Sequence, residues 1–156
     1  MDMEFKKSSN IKESIKIEKI SGKGRGITTT HSINNGELIE AAPVCAFPPE
    51  HRKIIDETTL SKYCFVMPSE YSCGGSHANG HIVFGLSSFC NHAAKPNVEI
   101  EWITDDIGQW AYLRALRDIH PGEELTMFYT NIDEYPSADK FVGNPKTAKV
   151  ADGDML

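Results

Sequence analysis

The chain has 156 residues, 40% of them hydrophobic, four cysteines and a net charge of −6 at neutral pH. That length suits one domain that buries a core without disulfide or metal staples. The acidic balance, with no basic stripe to follow a phosphate backbone, argues against nucleic acid as a direct ligand. Solubility is sufficient reason for the acidic surface, although it also suits a cationic partner.

No apolar run approaches the roughly 20 residues of a membrane helix, and Met1 to Asn10 are polar and charged, without the apolar centre of a signal peptide. Cys45, Cys64, Cys73 and Cys90 include no Cys-x-x-Cys pair. Free thiols in a reducing compartment, cytoplasmic or nuclear, are therefore expected, with no membrane association. The pattern leaves open whether the chain works alone or as a homodimer.

Residues 1–12 read as a flexible tail, 13–130 as the folded domain and 131–156 as a C-terminal segment. From Ser14 to Ile20 apolar and polar residues mostly alternate, as in a half-buried strand. The glycine-rich turn Gly22 to Gly26 and a Thr-rich strand, Ile27 to Thr30, follow. Asn34-Asn35-Gly36 signals a turn before a strand over Glu37 to Ala42. Pro43, Pro48 and Pro49 are expected to break the pattern, and Glu50 to Leu60 is the best helix.

Tyr63 to Met67 has strand composition, 68–80 reads as loop, and His81 to Leu86 as a short strand. Val98 to Ile103 and Trp110 to Leu116 suggest a hairpin turning at Asp105 to Gly108, and Leu125 to Tyr129 forms the last strand. A short echo, Ile-x-x-Gly-Glu at Ile33 to Glu37 and again at Ile119 to Glu123, is expected to place a tight turn before a strand each time, the repetition itself reading by default as coincidence. The class is mostly β, without the strand–helix alternation of a dinucleotide fold.

Two segments carry the chemistry. Asn91-His92-Ala93-Ala94-Lys95-Pro96-Asn97 places an Asn-His pair before a proline bend, and Gly122-Glu123-Glu124-Leu125-Thr126-Met127-Phe128-Tyr129 runs from a turn into a strand ending in aromatics. Each alone reads as turn chemistry or core. In this order they resemble the two signature stretches of SET domains, Asn-His-Ser-Cys-x-Pro-Asn and Gly-Glu-Glu-Leu-Thr-x-Asp-Tyr. Gly24-Arg25-Gly26 resembles the family's upstream Gly-x-Gly, and Ile33 to Glu40 its Ile-x-x-Gly-Glu-x-Ile-x-Glu. The resemblance spans about residues 15 to 130.

It implies a fold of several small curved sheets with a knot-like threading of the C-terminal segment beneath a loop. It also implies S-adenosylmethionine-dependent methylation of a lysine side chain on a histone or another protein. Tyr129 would be catalytic, where lysine, methyl and sulfur line up. Gly24, Arg25, Gly26, Asn91 and His92 would bind the cofactor, with the glycines letting backbone approach it closely. Tyr63 and Met127 would face the substrate.

Four departures stand against the pattern: Ala93 and Ala94 replace Ser-Cys, Phe128 replaces Asp, and Met127 stands where Phe or Tyr often tunes the number of methyl groups added. They support an alternative, a catalytically inactive SET-like interaction module. No cysteine follows Cys90, so the zinc-binding cluster that follows many SET domains is missing. Residues 131–156, with Tyr135 and Phe141, or a partner, would then close the site. A second alternative is zinc held by Cys73, His77 and His81, with Cys64 or Cys90 as a fourth ligand. Gly74-Gly75 and Asn79-Gly80 argue against a helix there. No metal is expected, and His81 reads as the start of a buried strand.

Overall fold

The computed structural model describes residues 14–71 and 77–135, which form two small sheets and one short α-helix. Strands β1 (Ile15–Ile20) and β2 (Gly24–Thr29) make a hairpin in continuous register from Ile15 opposite Thr29 to Ile20 opposite Gly24. Its turn needs glycine: Gly22 and Gly24 have φ of 75° and 85°, in the left-handed region.

β3 (Leu38–Phe47) runs past the expected end at Ala42 and through Pro43. It pairs with β8 (Gly108–Ala115) up to Pro43 and with β5 (Gly80–Val83) from Val44 onward. Pro43 thus sits at the hand-over between two ladders, where a missing N–H is least disruptive.

Helix α1 (Pro49–Asp56) starts on Pro49, whose fixed φ suits the first turn. It stops short of the expected Leu60. Thr58 donates its hydroxyl to the Ile55 carbonyl at 2.7 Å and accepts from the Leu60 N–H, starting a 3₁₀ turn over Thr59–Tyr63. β4 (Cys64–Phe65) and β5 follow, then a 3₁₀ turn at Leu86–Phe89, β6 (Asn91–His92), the hairpin of β7 (Val98–Asp105) with β8, and β9 (Glu124–Met127). One sheet has the order β1-β2-β9-β6, the other β4-β5-β3-β8-β7.

Ile27, Ile39, Val98, Leu113, Ile119 and Leu125 are almost wholly buried, in one cluster that joins strands of both sheets. Each such side chain contributes about 1.5–3 kcal/mol through burial.

The echo is structural after all. Ile33 and Ile119 form an antiparallel bridge, with N–H to carbonyl bonds of 2.9 and 2.8 Å in the two directions. Gly36 and Gly122 have φ of 80° and 86°. Glu37 accepts from the Asn34 N–H at 2.9 Å, and Glu123 from the His120 N–H at 2.8 Å. Gly36 N–H donates to the Ala115 carbonyl and Gly122 N–H to that of Thr29, so two like turns face each other around a local two-fold. One launches β3, the other β9.

The sheets match the expected mostly-β class. Cys73 and most of the segment expected to thread, residues 136–156 with Phe141, lie outside the described residues. His81 leads β5 as a buried residue, its ring 5.1 Å from Trp102. Among the described residues no cluster of three or more His, Cys, Asp or Glu could hold a metal. No helix among them is long and apolar enough to cross a membrane.

Candidate active site

β6 and β9 lie side by side and parallel, with Asn91 opposite Thr126 and His92 opposite Met127. Asn97 fixes this pairing from the proline bend. Its amide donates to the Glu124 carbonyl at 2.8 Å, and its side-chain oxygen accepts from the Thr126 N–H at 2.8 Å. The Asn of Pro96-Asn97 is therefore a cross-link between the two signature segments.

The glycines of Gly24-Arg25-Gly26 do different jobs. Gly24 closes the hairpin turn, whereas Gly26 is buried in β2. A Cβ on Gly26 would lie 2.7 Å from the Asn91 amide nitrogen and 2.6 Å from Ile20. The close approach that Gly26 permits is that of Asn91, which donates to the Arg25 carbonyl at 3.0 Å and to Glu124 at 2.8 Å. The first, third and fourth motif segments thus meet at one side chain. Glu40, at the end of the second, is buried and accepts from the Leu86 and Ser87 N–H groups at 2.8 and 2.9 Å. It caps the turn that delivers Phe89, Cys90 and Asn91.

Tyr129 follows β9. Its hydroxyl donates to the Cys90 carbonyl at 2.6 Å, and its backbone N–H donates to His92 Nδ1 at 3.0 Å. The neutral His92 ring therefore carries its proton on Nε2. Burial is the main cause that holds the Tyr129 phenol far above its ordinary range, with the Tyr135 charge next, and burial likewise lowers the pKa of His92. Cys90, fully buried, has its thiol pKa pushed up and stays inert. Tyr135 lays its ring 5.3 Å from that of Tyr129.

Two cavities meet here. The larger, about 660 Å³, has a mixed lining: Lys23 and Arg25 bring positive charge, Asp56 and Glu134 negative, with Phe89 and Asn91 also in the wall. The smaller, about 350 Å³, is mostly apolar and lined by Phe65, Val66, Ile100, Trp102, Met127 and Phe128 among others. Lys62, Tyr63, Ser88, Cys90, Tyr129, Asn131 and Tyr135 line both. Arg25 reaches across the larger one, donating to the Tyr63 hydroxyl at 2.8 Å with its guanidinium 4.7 Å above Phe89.

Of the residues singled out from sequence, Tyr129, Arg25, Asn91, Tyr63 and Met127 line a cavity, buried Gly26 and His92 stand behind the lining, and Gly24 is exposed in the hairpin turn. Sequence reasoning missed Asp56, Ser88, Asn131 and Glu134, which carry no motif. It also missed the structural tasks of Glu40 and Asn97, although both stand at fixed positions of the motifs.

The profile of the SET domain matches residues 24–130, more than half of the chain. The chain belongs to the SET-domain family. Over 58 residues, 37% of this chain, it is 43% identical to the histone-lysine N-methyltransferase ATXR4 of Arabidopsis thaliana, and it spans only 17% of that relative's length. Its fold is like that of the Plasmodium falciparum protein PFL0690c, a candidate histone methyltransferase. The TM-score there is 0.56 at 22% identity, with 74% of this chain and 92% of the other covered. It is also like the Neurospora SET domain protein DIM-5, a histone lysine methyltransferase, at a TM-score of 0.57 and 21% identity, with 74% of this chain and 51% of that chain covered.

Proposed function

We propose that this chain is an S-adenosylmethionine-dependent protein-lysine N-methyltransferase, with a histone or another lysine-bearing protein as substrate and an intracellular site of action. The observation that carries this reading is the pair of unlike cavities that share Tyr129 as a wall. In-line transfer needs donor and acceptor to enter from different sides and meet within about 3–3.5 Å. A chamber lined by charged groups of both signs and a mostly apolar one, with a common wall, suit such a meeting.

The larger cavity fits the cofactor by donor chemistry. Lys23 and Arg25 would take a carboxylate, Asp56 and Glu134 an ammonium, and Tyr63 and Phe89 offer rings to a flat base. Bound there, S-adenosylmethionine would supply an electrophilic methyl on a sulfonium. Asn91, in the wall, ties β2 to β9, and Gly26 and His92 would shape that wall from behind, His92 by holding the Tyr129 backbone.

The lysine would enter by the smaller cavity, whose apolar lining disfavours the ammonium form and so favours the nucleophilic neutral amine. Tyr129 spends its proton on the Cys90 carbonyl, leaving its oxygen lone pairs to accept from the amine and orient it. With its pKa raised, the phenol is no general base. Transfer would exchange the methyl's bond to sulfur, whose electron pair stays on sulfur, for one to the lysine nitrogen, and the methylated ammonium would then lose its proton to water. Met127, with no hydrogen-bond donor, would leave room for further methyl groups.

The test is methyl transfer from labelled cofactor to histones and other basic proteins, run beside calorimetric titration of S-adenosylmethionine. Labelled methyl-lysine by mass spectrometry is the expected result. Cofactor binding without transfer to any protein supplied would favour the inactive interaction module, and no binding at all would overturn the reading.

A further inference from the structure

Arg52, on α1, is only 4% exposed, and a buried guanidinium is tolerable only when paired. It pairs with Glu134, and across one helical turn with Asp56 at 3.7 Å. Glu134 ends the 3₁₀ turn Ile132–Glu134 that follows Tyr129. That turn has a second tether, since the Tyr71 hydroxyl donates to Asp133 at 2.8 Å. Asn131 adds a bond of 2.9 Å to Glu134. The next residue, Tyr135, covers Tyr129, and Asp56, Asn131, Glu134 and Tyr135 all line the larger cavity.

We propose that Arg52 is a positioning residue: by holding Glu134 it latches the turn 132–135 closed over the larger cavity and seats Tyr135 against Tyr129. The part about cofactor affinity rests on the functional reading above; the latch itself does not. A 3₁₀ turn of three residues has little stability of its own, so its place depends on tertiary contacts. Buried Ile132 anchors it without fixing its rotation, and the charged pair adds a direction. Arginine suits the task because its planar fork can address the carboxylates of Glu134 and Asp56 together. If the unlatched turn were closed only about a tenth of the time, apparent affinity in the cavity would fall about tenfold.

Glu134→Gln keeps shape and removes charge, while Arg52→Lys leaves Glu134 in place and so separates positioning from direct contact with a ligand. Hydrogen exchange over 129–135 without ligand, the Kd for S-adenosylmethionine, and KM and kcat would be measured on the full chain. Both variants are expected to exchange faster over 129–135 and to raise Kd and KM for the cofactor about tenfold, with kcat at saturation nearly kept. Glu101→Gln, which breaks the exposed pair with Arg114, should change none of these. Should either latch variant fail to fold, Tyr71→Phe loosens the second tether and is expected to act in the same direction. Exchange at the wild-type rate in folded Glu134→Gln and Arg52→Lys would overturn the latch. Faster exchange with unchanged Kd would overturn its link to the cavity. A wild-type protein that binds no cofactor sinks the functional reading instead, and the exchange measurement still decides the latch.

Discussion

The β7–β8 hairpin and the layer made of β2, β9 and β6 are built on opposite plans. The hairpin joins neighbours in sequence through a tight turn at Gly108 and holds register over eight residue pairs, from Val98 opposite Ala115 to Asp105 opposite Gly108. Along β8, buried Ala111, Leu113 and Ala115 alternate with partly exposed residues. The other layer pairs only two residues of β2 with β9 and two of β6 with β9, and joins segments far apart in the chain. Side chains supply what the short ladders lack: Asn91, Asn97 and His92 make the bonds between them. The scaffold is held by backbone and apolar area, the site by a few polar side chains in unusually close contact. Substitutions in the two regions should therefore fail in different ways.

The largest contrast is expected between Tyr129→Phe and Leu113→Ala. The first keeps the ring against Tyr135 and deletes one oriented hydroxyl, so turnover should drop on the order of 10²-fold or more while cofactor binding and melting temperature stay near wild type. The second opens a cavity in the joint core and should cost about 2–5 kcal/mol of stability, with turnover of the surviving folded fraction nearly intact. Turnover and melting curves on the same preparations give both readings. Near-normal turnover in Tyr129→Phe would remove that residue from the mechanism.

Gly26→Val comes next, and it bridges the two modes. Its side chain must displace Asn91 and Ile20, so β2 and β9 should part locally and the cofactor-induced rise in melting temperature should vanish. Gly24→Ala meets no neighbour within 4 Å and strains only the turn, so it should retain most of that rise. A full shift in folded Gly26→Val would place the ligand away from the Asn91 wall.

The same contrast explains what the sequence made legible. The β7–β8 hairpin, the Asn34-Asn35-Gly36 turn and the buried strand at His81 were readable because pattern and partner are local. The helix end at Asp56 was not, because Thr58 competes for the backbone beyond it, and Pro43 misled because its strand changes partner there. Tyr129, Arg25, Asn91 and Met127 lie in the motif segments and Tyr63 outside them; all five line the two cavities. Asp56 and Glu134 were invisible, since their place depends on a helix and a turn brought together by a buried Arg52. The Ile-x-x-Gly-Glu echo carried more information than its brevity suggested, because each copy supplies half of one symmetric contact.

A smaller effect is expected at Met127, 4% exposed on β9 and facing the smaller cavity. It offers no hydrogen bond to a water or a methylated amine, so products beyond monomethyl-lysine are expected. Met127→Tyr should shift the distribution towards the monomethyl state while changing the first transfer little, as read by mass spectrometry over a time course. A wild-type enzyme that stops strictly at one methyl would count against the assignment.

The smallest effect is on pH dependence, and it again separates the two regions. Burial lowers the pKa of His81, in the scaffold, and of His92, beside Tyr129, from an ordinary value of 6.5. A histidine whose folded pKa is depressed binds its proton more readily when unfolded. Its folded form is unpenalised above about pH 6.5, and stability falls as pH drops through that value towards the lowered one. Melting temperature should thus decline by a few degrees between pH 7.5 and 5.5. Glu18 and Glu123, held below the ordinary range by hydrogen bonds to Lys16 and Arg117 respectively, act in a separate window at more acid pH. The two histidines part at function: a proton on His92 Nδ1 takes away the acceptor for the Tyr129 N–H, whereas His81 packs its ring on Trp102. His81→Gln and His92→Gln should each flatten part of the stability profile, but only the second should alter the acid limb of the rate profile. A wild-type melting temperature that stays level from pH 7.5 to 5.5 would show that neither ring is held neutral by burial.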